Sequence, residues 1–334
     1  MVKNEEEMLP RCLESVKWAD ELIVVDTGST DKTVEIAKSY GAYVHHHPWQ
    51  NDFSVHRNQS IKYATGDWIC IIDADEEIVS DMTNMKERLN RIPPHITALV
   101  VRVRELRGDD ETSWLGMRFF RKSSGIHYKN AVHNKAVFDG LAAGTDIEFR
   151  HYGYSLDPEK MAKKRERTES LLMKRIEADE NDHAAYYYMT QMRIGQKRYD
   201  EAIKFGNKFF DKVTVGPTGF QFYGVMYFYM AWAYMKIGDG GMAWSWTEKG
   251  LEFFPDDLDL NYMMARIGYE SAHDDVLKEY SDRYLELLPK YENMGKIDTD
   301  KFEIKIDDSY WKNRTIYTAA KGAQRALQEM RGVL

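Results

Sequence analysis

An apolar run, Asp67-Trp68-Ile69-Cys70-Ile71-Ile72, stops abruptly in Asp73-Ala74-Asp75-Glu76-Glu77. Four acidic residues within five positions, directly after a strand-like segment, are hard to explain as packing, because buried carboxylates need partners. The run therefore belongs inside a sheet, with its carboxyl end open to solvent or to a ligand. Glu21-Leu22-Ile23-Val24-Val25-Asp26 repeats the pattern: it ends in Thr27-Gly28-Ser29-Thr30-Asp31, and Lys32 to Ala37 continue at helical period, which reads as strand, polar turn, helix. A third strand, Ala98 to Val103, follows Pro93-Pro94, and shorter strand candidates lie at Gly116 to Arg121, Ala136 to Phe138 and Ile147 to Phe149. Open α/β sheets bind ligands at the carboxyl ends of their strands, where both acidic turns fall.

The spacing of Asp73 and Asp75 has a direct chemical use. In an extended segment both side chains point the same way and offer hard oxygens to Mg²⁺ or Mn²⁺, with the remaining positions open to diphosphate oxygens. Arg57 suits a planar, bidentate phosphate contact. His45-His46-His47 invites a metal reading, but side chains alternate along a strand and His47 precedes Pro48, so the tract is read as a strand edge before a loop.

The texture changes near residue 155, after which Tyr/Met/Leu/Ala-rich helical patterns follow one another. Pro255 and Pro289 stand 34 residues apart, the period of tetratricopeptide helix pairs. Each proline follows an amphipathic stretch, Ala243 to Phe254 and Val276 to Leu288, and an earlier pair runs from Ala184 to Ile194 and from Tyr199 onward. Ala243 and Gly250 are expected at close helix contacts. With 334 residues, 43% of them apolar, two cored domains are possible. The net charge of -8 argues against general nucleic-acid binding. Cys12 and Cys70 lack metal-ligand or disulfide spacing, and no apolar stretch is long enough to span a membrane, which together fit a cytoplasmic protein.

An ordered series of segments then carries a resemblance: Met1-Val2-Lys3-Asn4-Glu5-Glu6, Cys12 to Val16, Glu21 to Asp31, Trp49-Gln50-Asn51-Asp52-Phe53-Ser54 with Arg57-Asn58, and Ala64 to Asp67 leading into Asp73-Ala74-Asp75-Glu76. It resembles the family 2 glycosyltransferases of GT-A fold, in the bacterial and phage group with tetratricopeptide-like repeats. The resemblance implies an α/β GT-A domain over 1–155, a helical connector over 156–180 facing solvent or the diphosphate cleft, helical repeats over 181–295, and an extension with a capping helix over 296–334. It also implies that Val2, Asn4, Glu5 and Asp26 lie beside the base and ribose and that Arg57 lies near the diphosphate. Asp73, on the ribose side, and Asp75 would then be metal ligands flanking Ala74. His151 would be a further metal ligand, ahead of His127 and His133.

The chain departs from the pattern twice. Asn134 stands where the family usually has glutamate, which leaves the acceptor's proton to Asp109, Asp110, Glu111 or Glu105, or to no residue here. Resembling proteins also carry a short apolar run before the Met-Val-Lys-Asn-Glu segment, so the first, central strand is expected to be truncated. The function so implied is metal-dependent transfer of a sugar from a nucleoside diphosphate sugar, uridine diphosphate foremost, to a peptide, protein or glycan, with inversion. The repeats would supply an acceptor surface or a homodimer interface. A noncatalytic scaffold derived from a transferase is the alternative; a nucleotidyltransferase would show a glycine-rich phosphate loop near its first strand.

Overall fold

The computed structural model describes residues 1–107, 110–152, 158–213, 223–293 and 326–332, and these divide into two compact units, residues 1–171 and residues 172 onward. In the first unit, α1 (Leu9–Val16) precedes β1 (Ile23–Asp26), α2 (Thr33–Ser39), β2 (Tyr43–His46), α3 (Phe53–Tyr63), β3 (Trp68–Cys70), β4 (Glu76–Ile78) and α4 (Met85–Arg91). There follow β5 (Ile96–Arg107), β6 (Asp110–Arg121), β7 (His127–Lys129), β8 (Lys135–Val137), β9 (Leu141–His151) and α5 (Pro158–Ala178), which crosses into the second unit.

The strands form a parallel β1-β2 pair, a five-stranded sheet in the order β3-β6-β5-β9-β4, and a β7-β8 pair. The larger sheet is mixed: β5 and β9 are parallel, and the other neighbours are antiparallel. The expected strands exist, but β5, β6 and β9 extend well beyond the stretches read from the sequence. The outer parts of β5 and β6 carry charged residues, and β9 opens on small ones, Ala142-Ala143-Gly144, both of which weaken an apolar signal. The buried face of this sheet, with Leu99, Val101, Val103, Phe119, Ile147 and Phe149, packs on Met85 and Leu89 of α4.

Val2 forms a single parallel bridge to Asp26, its N–H donating to Val25 O (2.8 Å) and its carbonyl accepting from Thr27 N (3.0 Å). A cavity of about 350 Å³, lined by Leu13, Trp18, Val24, Ile69, Ile71 and Phe119 among others, lies beside this bridge.

The second unit stacks α6 (His183–Gly195) with α7 (Tyr199–Lys212), α8 (Tyr223–Lys236) with α9 (Gly240–Phe253), and α10 (Leu258–Glu270) with α11 (Asp274–Asn293). An aspartate caps the first helix of the first and third pairs and the second helix of the middle one: Asp182 accepts from Ala185 N, Asp257 from Leu260 N and Asp239 from Met242 N. Such a bond satisfies one of the donors a helix start leaves open. Ala243 is fully buried, and at Gly250 an added Cβ would stand 2.8 Å from both Leu260 and Tyr227. Pro255 follows α9 as expected, whereas Pro289 lies inside α11. Of the expected capping helix, residues 307–325 lie outside the described residues; Leu327 and Met330 pack with Leu258, Tyr262, Leu287 and Leu288.

Candidate active site

The end of β1 and the segment after Val2 interlock. Asn4, at φ 56°, donates its N–H to Ser29 Oγ (3.0 Å) and accepts from Thr30 N (2.8 Å). Glu5 N donates to Thr33 Oγ1 (2.7 Å). Asp26 is buried and accepts from Ser29 N (3.0 Å), Gly28 N (3.3 Å) and His46 Nδ1 (3.2 Å). Burial pushes the Asp26 carboxyl up, but the hydrogen bonds from Ser29, His46 and Gly28 outweigh it and hold the group below the usual carboxylate range. Val2, Asn4, Glu5 and Asp26 are thus brought together at one strand end.

The histidine tract alternates as a strand requires. His45 stacks on Tyr63 at 3.5 Å between ring centres, His47 bonds the Tyr63 hydroxyl (2.8 Å), and His46 faces Asp26 on the other side.

Helix α3 starts at Asp52, whose carboxylate accepts from Ser54 N (2.7 Å) and Val55 N (3.2 Å). One turn in, Arg57 donates from NH2 to Asp73 Oδ1 (2.7 Å) and from Nε to Asn134 Oδ1 (3.2 Å), and its guanidinium lies 5.3 Å from the centre of the Tyr128 ring. Burial would push the Asp73 carboxyl up, yet Arg57 and Arg118 hold it well below the usual range. Asn134 therefore orients Arg57.

Asp73, Ala74 and Asp75 form the turn between β3 and β4, closed by Glu76 N donating to Asp73 O (3.0 Å) and by Tyr152 N donating to Asp75 O (2.8 Å). The segment is a turn and not the extended stretch expected, so the two aspartates part: Asp73 goes to Arg57, while Asp75 Oδ2 lies 3.7 Å from His151 Nε2. His151 Nδ1 lies 3.3 Å from Glu76 Oε1, and Glu76 is buried in an ion pair with Arg118 (2.5 Å). Burial pushes the Asp75 carboxyl above its ordinary value, and Asp73 and Glu76 add to this against the opposing charges of His151 and Lys164. On His151 burial acts downward, and the bond to Glu76 with the charges of Asp75, Glu76 and Asp73 carries the imidazole above its ordinary value.

A carboxylate oxygen beside an imidazole nitrogen is a donor pair that suits Mn²⁺. Asp73 and Glu76 are already engaged by arginines, and among the described residues no group of three His, Cys, Asp or Glu side chains converges on one point. The residues present thus offer an ion two protein ligands, Asp75 and His151, and would leave its other positions to groups from outside the chain. His127 is exposed against Gly125 O, and His133 is exposed at φ 50°; His151 is the histidine paired with Asp75.

Of the residues expected to act as base, Asp109 lies outside the described residues. Asp110 and Glu111 begin β6, paired with Arg107 and Leu106. One register step inward, Thr112 pairs with Glu105, and Glu105 pairs with His151, which in turn pairs with Glu76. Residues in register across a sheet share a face, so buried Glu105 belongs to the His151 row. The sequence names Glu105 only as one of four acids on this segment; the pairing of β5 with β9 is what sets it in the row of His151. Cys12 and Cys70 are free thiols. Burial pushes both up, Cys70 to about 12, so neither is poised as a nucleophile.

Residues 1–144 match the model of Glycosyl transferase family 2. A TPR repeat-containing protein of Synechococcus elongatus is 41% identical over 171 residues, which are 47% of this chain and 42% of that protein. The SPbeta prophage-derived glycosyltransferase SunS of Bacillus subtilis is 46% identical over 78 residues, 22% of this chain and 18% of its own length. The chain thus matches less than half the length of either relative. YrrB, a solved TPR protein with an unusual peptide-binding site, aligns over 51% of this chain and 76% of its own at 15% identity and a TM-score of 0.33. An α/β region like the family 2 glycosyltransferases is followed by an all-helical TPR-like repeat region.

Proposed function

Taking residues 1–144 as a family 2 glycosyltransferase-like region, we propose that the chain transfers a sugar from a nucleoside diphosphate sugar, uridine diphosphate foremost, to a peptide, protein or glycan acceptor with inversion. The observation that carries this reading is the β3-β4 turn, where Asp73 meets Arg57, Asp75 meets His151, and Ala74 between them packs with Val2 and Val24 of the strand end that holds Asn4, Glu5 and Asp26. A ligand with a base, a ribose and a diphosphate matches that succession of groups.

In this reading the Asp26 carboxylate and the Asn4 to Glu5 backbone hold the nucleoside. Arg57, oriented by Asn134 and Asp73, meets the charge that develops on the leaving diphosphate. Asp75 and His151 would hold Mn²⁺ or Mg²⁺, which when bound supplies positive charge to the same oxygens. Glu105, with Asp110 and Glu111 farther along the hairpin, takes the acceptor's proton as its oxygen attacks the anomeric carbon. The helical repeats favour a macromolecular acceptor, because stacked helix pairs offer an extended surface; exposed Met242, Phe253 and Tyr269 are available for that contact or for a homodimer. Free thiols and the lack, among the described residues, of a helix long and apolar enough to cross a membrane accord with the cytoplasmic residence we propose.

Thermal-shift titration with a panel of nucleoside diphosphate sugars, with and without Mn²⁺, tests the donor site. A metal-dependent rise for one donor, lost in Asp75→Ala, is the expected result. A folded protein that responds to no donor would overturn the reading and leave a repeat scaffold in its place.

A further inference from the structure

The first part of α5 belongs to the same compact unit as the sheet, and Lys164 and Arg167, three residues apart, lie on one face of it. The Asp75 carboxyl feels the charge of Lys164, and Arg167 feels that of Glu5. The Arg167 guanidinium lies 5.0 Å from the centre of the Phe53 ring and 5.9 Å from that of Trp49, within cation–π range. This platform is fixed: Trp49 meets Phe53 edge-on at 4.7 Å, stacks on His56 at 5.2 Å and donates from Nε1 to Asn51 Oδ1 (3.1 Å). Phe53 also stands one turn before Arg57 on α3.

Arg57 has Asp73, and Arg118 has Glu76. Nearby Asp52 is spent on capping α3. Arg167 is exposed, and among the described residues no carboxylate comes within ion-pair distance of it. A guanidinium stacked in place, with no carboxylate at ion-pair distance among the described residues, is suited to an anion that arrives from outside.

We infer that Arg167, with Lys164 one turn before it, is a phosphate-binding residue: its guanidinium, laid against Trp49 and Phe53, takes an oxygen of the nucleoside diphosphate. The inference rests on the donor-site reading above and adds a second cationic contact, carried by the helix that follows the sheet. The ordinary alternative is an arginine that only covers two aromatic rings, which needs no ligand.

Titration calorimetry in Mn²⁺ separates the two, using UDP, GDP, ADP, CDP and dTDP, the matching nucleosides, and the wild-type, Arg167→Gln, Arg167→Lys and Lys164→Gln proteins. Arg167→Gln is expected to weaken the preferred diphosphate about tenfold while leaving its nucleoside unchanged, with Arg167→Lys losing less and the ligand-free melting temperature unmoved. Undiminished diphosphate affinity in Arg167→Gln, or equal weakening of nucleoside and diphosphate, overturns the inference in favour of the covering role. A wild-type protein that binds none of the diphosphates overturns the donor-site reading itself, and that result is visible before any variant is made.

Discussion

At the scale of single residues, the β3-β4 turn divides its two aspartates between an arginine of α3 and a histidine of β9. Asp73 and Asp75 stand out because they follow an apolar run, yet Arg57 lies sixteen positions from the aspartate it binds and His151 lies on a strand far downstream. Asn134 reads as a lost base, and its actual task, accepting from Arg57 Nε, depends on a loop that no periodicity describes. Asn134→Ala should therefore weaken nucleoside diphosphate binding by about 1 kcal/mol through a loosened Arg57, a several-fold change in Kd by calorimetry, while Asn134→Gln retains part of it. Glu76 presents a different case, because its side chain is fully buried against Arg118. Glu76→Gln leaves a buried guanidinium without its charge partner and should cost about 3–5 kcal/mol, read as a lowered urea midpoint of the sheet unit.

At the scale of elements, helices were legible and sheet partners were not. A 3.6-residue pattern and a 34-residue interval mark α6 to α11 from the order of residues alone. That Pro289 sits inside α11 was not readable, since the helix continues past it. Close packing at Gly250 was foreseen, and Gly250→Leu should destabilise the repeat unit by about 1–3 kcal/mol through overpacking, seen as a lowered melting temperature with the sheet unit unchanged. The start of α10 hides two acids. Burial pushes Asp257 up to about 6 despite the N–H groups of Leu260 and Asp259, and Asp259 is pushed well up by burial and by Asp257. Between the ordinary carboxylate pKa and these raised values the folded state holds protons that the unfolded state has released. Stability of the repeat unit therefore rises as pH falls from about 7 toward about 4, and is lost again as pH rises through the folded values. Asp259→Asn should flatten that slope and raise the melting temperature at pH 7.5, which calorimetry across pH checks. In the sheet unit Asp26 and Asp73 are shifted the opposite way, so their contribution is present above about pH 4 and lost below it.

At the scale of the molecule, the two units are built from contacts of different reach. Each repeat helix packs mainly on helices adjacent in sequence, as α10 does on α11 and α9. The sheet instead joins β4 to β9 and β5 to β9 across long stretches of chain, and it sets the Glu76, His151 and Glu105 row only when all three strands are home. Closing such loops must come before the contacts reward it, so pairings distant in sequence form slowly. Refolding should accordingly show a fast phase for the helical unit and a slower one for the sheet. Donor binding should return only with the slower phase, because the pairing that makes it slow is also what brings His151 to Asp75. On a ribosome, β4 and β5 emerge before β9 and must wait for it to find their partner, so the strand that brings His151 also sets the time at which the row of Glu76, His151 and Glu105 first exists.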